Sequence, residues 1–127
     1  MIHIMIGWWI LVTAQTPEER EAAADPKAAV LASWEASVAG IDWVNRLVKE
    51  GKARQLLAGG YPNRYAAKAR DVLPLISDGP PDHSGPTVFG DDYVMPGNWS
   101  GNITIHRDKC AACPQEKVLT IDVWDQS

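Results

Sequence analysis

Met1–Ala14, MIHIMIGWWILVTA, is the stretch whose reading decides the fold. As a strand it places Ile2, Ile4, Ile6, Trp8, Ile10 and Val12 on one face and His3, Met5, Gly7, Trp9, Leu11 and Thr13 on the other. Both faces are largely apolar, the pattern of a central strand buried on two sides. Such a run would span about 43 Å, so a bend is expected, most cheaply at Gly7. The same segment also suits an export signal by its apolar length and its Val12-x-Ala14 ending, although the Lys or Arg of a signal's leading region is missing. It is too short for a transmembrane helix, which needs about 20 apolar residues, so no membrane partner is expected. The strand reading goes with a cytoplasmic protein and the signal reading with an exported one.

A buried strand needs neighbours, and the last third of the chain offers them. Asn102–Arg107 and Lys117–Trp124 both alternate. The best hairpin register sets Ile105 opposite Leu119 and Ile103 opposite Ile121 on the core face, with Thr104 on Thr120 and His106 on Val118 behind. The middle of the chain reads as helix. Thr16-Pro17-Glu18-Glu19 combines a capping residue, a first-turn proline and acids at the positive end of the helix dipole. Asp25-Pro26 opens a second start. From there Val30, Leu31, Trp34, Val38, Ile41, Val44, Leu47 and Val48 recur at helical spacing up to Gly51, predicting one long helix over 26–50. Residues 53–60 fit either a strand or a helical turn. Tyr65, Ala69, Val72, Leu73 and Ile76 predict a further helix that Pro74 bends near its end. Residues 78–86, rich in Pro, Gly and Asp, read as a surface loop.

The expected fold is therefore a single α+β domain over 1–127. Its N-terminal strand pairs with a C-terminal β-hairpin, and mid-chain helices pack on one face of a small sheet. At 127 residues and 46% hydrophobic composition, the chain can bury a core without disulfide or metal support. So small a sheet leaves a second apolar face uncovered, and the simplest cover is another copy of the chain. A homodimer is the expected partner state.

Twelve basic against sixteen acidic side chains give a net charge of −4, which argues against a general nucleic-acid coat. The charge is nevertheless segregated. Residues 46–70 carry seven bases and one acid: Arg46, Lys49, Lys52, Arg54, Arg64, Lys68 and Arg70 against Glu50. With Tyr61 and Tyr65 interleaved they could form an anion patch, or an inhibitor or adaptor surface for nucleic-acid machinery. They could equally be solvated faces neutralised by the acidic residues that follow.

Cys110-Ala111-Ala112-Cys113 contains the chain's two cysteines. A structural zinc site normally takes four ligands from two such knuckles, and the second knuckle is absent. His106 is the weak third candidate beside Cys110 and Cys113, so no metal and no cofactor is expected. A redox pair would place its first cysteine at a helix N-terminus, whereas this one precedes Pro114 and a strand. For acid–base chemistry the candidates are Asp82 and His83 in the Pro/Gly-rich loop, Asp91, Asp92 and His106. Nucleophile elbow, phosphate loop, dinucleotide fingerprint and His-Glu-x-x-His motif are all missing.

Six tryptophans are the compositional oddity. Trp8 and Trp9 point to opposite sheet faces, Trp34 lies on an apolar stripe, and Trp99 sits in a polar turn. Trp9, Trp43, Tyr61, Tyr93 and Trp99 are the candidate ligand-binding side chains, because tryptophan combines large apolar area with a polar handle. The expected function is a non-catalytic, homo-oligomeric protein with an aromatic-lined small-molecule or partner site. A strand, a long helix ending Trp43-Val44-Asn45-Arg46-Leu47-Val48-Lys49-Glu50-Gly51-Lys52, and a strand at 53–60 resemble the opening of dimeric ferredoxin-like α+β proteins of the YCII or muconolactone-isomerase kind. That resemblance covers at most the first half of the chain and departs at 65–76. It implies isomerase- or hydrolase-like acid–base chemistry as the alternative function, with no catalytic residue carried over.

Overall fold

The computed structural model describes residues 7–23, 27–81, 88–90, 93–95 and 99–126. In chain order its elements are β1 (Trp8–Thr13), α1 (Pro17–Ala22), β2 (Val30–Ala36), α2 (Asp42–Lys49), β3 (Ala53–Leu57), β4 (Asn63–Lys68), α3 (Ala69–Ile76), β5 (Val88–Gly90), β6 (Tyr93–Met95), β7 (Ser100–Ile105), α4 (Arg107–Ala112) and β8 (Val118–Asp125). Short 3-10 turns occupy Lys27–Ala29 and Val38–Ile41. The α+β class is as expected. A six-stranded antiparallel sheet runs β3-β4-β8-β1-β2-β7, with β5 and β6 paired as a separate ribbon.

The described part of the opening segment is an interior strand hydrogen-bonded to β8 on one side and β2 on the other. Ile10, Leu11, Val12 and Thr13 are all buried, so both faces of β1 are covered. Residues 1–6, and with them the first half of the proposed strand, lie outside the described residues. Gly7 is required by close approach. A Cβ there would fall 1.9 Å from the carbonyl oxygen of Ala36.

Several expectations are corrected. The long helix over 26–50 is instead β2, a 3-10 turn and the shorter α2. Ala32, Trp34 and Ala36 alternate with Ser33 and Glu35, and this period of two fits the row opposite Val12, Ile10 and Trp8. Tyr65 belongs to β4, and the following helix begins only at Ala69 and continues through Pro74. Residues 53–57 form a strand that ends before Gly59 and Gly60, both at positive φ (108° and 88°).

The predicted hairpin register is also overturned. β7 pairs with β2, setting Ile105 opposite Ala32, while β8 pairs with β1 and β4, setting Ile121 opposite Val12 and Tyr65. Helix α4 fills the connection, which is then long enough to carry the chain from an edge strand to the sheet interior. The opening resemblance fails at the same place as the long helix, since β2 interrupts it and β1 and β2 are direct antiparallel neighbours.

The first face of the sheet carries the core. Ile10, Val12, Trp34, Tyr65, Ile121 and Val123 pack beneath Trp43, Val44 and Leu47 of α2, Ala69, Val72 and Ile76 of α3, and Cys110 of α4. The Trp34 and Trp43 rings meet at 5.9 Å between centroids, tilted by 33°. Helix α1 takes the second face. It starts at the Thr16 cap that the sequence announced, and the structure adds a capping box: Glu19 N donates to Thr16 Oγ1 and Thr16 N to Glu19 Oε1. The second face is therefore not a bare apolar surface. Leu11, Thr13, Thr120 and Asp122 on it are already buried within one chain.

Candidate functional site

Strand register places four residues of the second face in one line. Trp124 of β8 lies opposite Trp9 of β1, Trp9 opposite Glu35 of β2, and Glu35 opposite Gly101 of β7. Directly opposed residues share a face, and the indole of Trp99 fills the space that a side chain at Gly101 would need. A Cβ there would come within 2.6 Å of Trp99 Cζ2. The result is a row of three half-buried indoles, from Trp99, Trp9 and Trp124, with one carboxylate set among them. Among the described residues the rings of Trp9 and Trp124 make no stacking contact, unlike Trp34 and Trp43. Asn102, at φ 49° in the irregular stretch of β7, donates from Nδ2 to Glu35 Oε1 and holds the carboxylate in place. The Nε1 of Trp124 is buried without a hydrogen-bond partner.

One row along the same face lies an ion cluster. Asp122, 1% exposed, takes two hydrogen bonds from Arg64, from Nε at 2.7 Å and from the terminal nitrogen at 3.2 Å. Arg20 of α1 approaches the other side with Nε 3.3 Å from Asp122 Oδ2, close enough to attract but not aligned as a hydrogen bond. Hydrogen bonding to Asp122 raises the Arg64 pKa further, with Glu21 adding a smaller electrostatic pull. Beside it, Thr120 Oγ1 donates to the carbonyl of Gln15 at 2.7 Å. These contacts dock α1 on the sheet one row from the aromatic line.

The predicted aromatic set is thus divided. Trp9 and Trp99 share the second face. Trp43 is on the opposite side, where it lines a cleft of about 910 Å³ between α2 and α3 together with Arg46, Lys52, Arg70 and Asp71. Tyr61 is 67% exposed at the turn into β4, and the side chain of Tyr93 lies outside the described residues. Trp124 and Glu35 were missed. Trp124 was visible in the alternation of the last strand, whereas Glu35 was hidden by reading its strand as helix.

Of the acid–base candidates, Asp82, His83, Asp91 and Asp92 lie outside the described residues. His106 precedes α4, where its backbone N–H donates to the Leu31 carbonyl at 2.9 Å. Cys110 is buried in the last turn of α4, not in a hairpin tip, and Cys113 ends that helix. Burial pushes both thiols above their ordinary pKa, which suits neither a nucleophile nor a thiolate ligand. Among the described residues no three His, Cys, Asp or Glu side chains converge as a metal cluster, and His106, Cys110 and Cys113 do not form one.

Of the basic segment, Arg46, Lys52 and Arg70 line the cleft beside Trp43. Arg64 is committed to Asp122, while Lys68 and Arg70 both reach Glu116, at 2.9 and 2.8 Å. Among the described residues no helix is long and apolar enough to cross a membrane. Comparison with protein-family models, curated proteins and solved structures gave no match, so the reading of function rests on the site itself.

Proposed function

We propose that this chain is a non-catalytic binding protein whose ligand, a small molecule, sits against Trp9, Trp99 and Trp124 on the second face of the sheet. The observation that carries the reading is the cross-strand line Trp124–Trp9–Glu35–Gly101, completed by the Trp99 ring. Half-buried indoles on adjacent strands supply large, stiff apolar area at low entropic cost. The strands beneath are firmly anchored, since Ile10, Ile121 and Val123 on their reverse side are fully buried. A site on such a base needs little ordering when it binds.

The test is titration of the isotopically labelled protein with benzyl alcohol, a neutral aromatic probe, followed through the indole N–H resonances. Trp9, Trp99 and Trp124 are expected to shift together while Trp34 and Trp43 stay still. Shifts confined to Trp43 and its cleft, or none at any indole, would overturn the reading.

A further inference from the structure

We infer that the ligand of the aromatic row is a small organic cation, a quaternary or heavily alkylated ammonium free in solution. This rests on the binding function proposed above and adds the chemical class. Glu35 sits directly opposite Trp9 and beside the residue covered by Trp99. A carboxylate set among indole side chains is a combination with one electrostatic preference. The ring quadrupole attracts positive charge, and the anion at the floor of the row attracts it as well. A neutral ligand would gain the apolar contact and leave Glu35 uncompensated, and an anion would be repelled by it.

Glu35 is held for this task. Among the described residues its hydrogen-bond partner is the neutral amide of Asn102, which orients the carboxylate without neutralising it. Among the same residues Arg20 and Arg64 lie one row away on this face, and both are turned onto Asp122. Trp9 and Trp124 hold opposed positions on neighbouring strands and do not stack on one another. A trimethylammonium head group, apolar outside and charged within, suits a surface of half-buried indoles beside a carboxylate. A primary ammonium keeps its hydration more strongly and loses more on entering.

The deciding experiment compares choline with 3,3-dimethylbutan-1-ol, its uncharged isostere, by following the Trp9, Trp99 and Trp124 indole resonances. Choline is expected to bind at least about tenfold more tightly, which corresponds to about 1.4 kcal/mol. Glu35→Gln keeps the acceptor for Asn102 and removes the charge, and is expected to shrink the choline preference several-fold, leaving only the share that the ring quadrupoles supply. Equal affinities in the natural protein would overturn the cation and leave the aromatic site standing. If neither probe nor benzyl alcohol moves any indole of the row, the binding function itself fails. Phosphatidylcholine vesicles serve as the last arm: co-sedimentation with them would place the head group on a membrane and overturn a free solute as the source.

Discussion

Asp122 shows what a single side chain decides in this protein. It is almost fully buried on a sheet face, and two arginines from different elements converge on it, each only about 15% exposed at the side chain (14% for Arg64, 15% for Arg20). Such a cluster is not strong evidence of net stabilisation, because desolvating three charges offsets much of their attraction. Its removal is another matter. Asp122→Ala leaves both guanidinium groups facing each other without an anion, and is expected to destabilise the fold by about 3 kcal/mol or more in urea titration. Asp122→Asn, which keeps acceptor and shape, is expected to cost clearly less. Equal losses would mean that charge, not packing or acceptor geometry, is what Asp122 supplies. Glu35 is the contrasting acid: half-buried, oriented by an amide, and set among indoles.

At the level of elements, α1 is held by pairs that respond to pH. Hydrogen bonds from Lys117 and from Thr16 draw the Glu19 carboxyl down to about 2 from its ordinary 4.5. Lys68 and Arg70 lower Glu116 in the same direction. A depressed acid stabilises the fold above its unfolded pKa and loses that contribution as pH falls through the folded one. The contribution of Glu19 is therefore complete above about pH 4.5 and fades toward pH 2. Both acids are exposed, so the effect is modest and weakens with salt. Carboxyl resonances of Glu19 followed by pH titration are expected to show the low value, and Lys117→Met is expected to raise it. An unshifted Glu19 would remove the pairing from the account of α1.

The same scale explains what the sequence made legible. The helix start at Thr16-Pro17 and the doubly buried β1 are local patterns that hold whatever surrounds them. The stretch 26–50 was misread because Val30, Leu31 and Trp34 satisfy helical spacing as well as strand alternation. What tips the balance is β1, which needs a partner on each side and finds Ala32, Trp34 and Ala36 opposite its own core row. The aromatic site was half legible for the same reason. Trp9 and Trp99 could be picked by type, but their company with Trp124 and Glu35 exists only once β2 is a strand and β7 lies beside it.

For the whole molecule, the expected second copy loses part of its argument. It was to cover a bare apolar sheet face, and that face instead carries α1, a buried ion cluster and a strip of indoles. Self-association through it would press Arg20 and Arg64 toward their counterparts in another chain. Light scattering at tens of micromolar is expected to report the mass of one chain. A dimer would restore self-association as the role of the aromatic strip.

Strand order has a last consequence, for synthesis. The sheet falls into two halves, β3 with β4 and β1 with β2 and β7, and β8 alone bridges them. Because β8 is the last of these strands to leave the ribosome, the earlier elements can be fully translated and still have no common core to join. Nascent chains halted before Val118 should accordingly stay open to protease at Tyr65 and Ile10, and close soon after β8 has emerged.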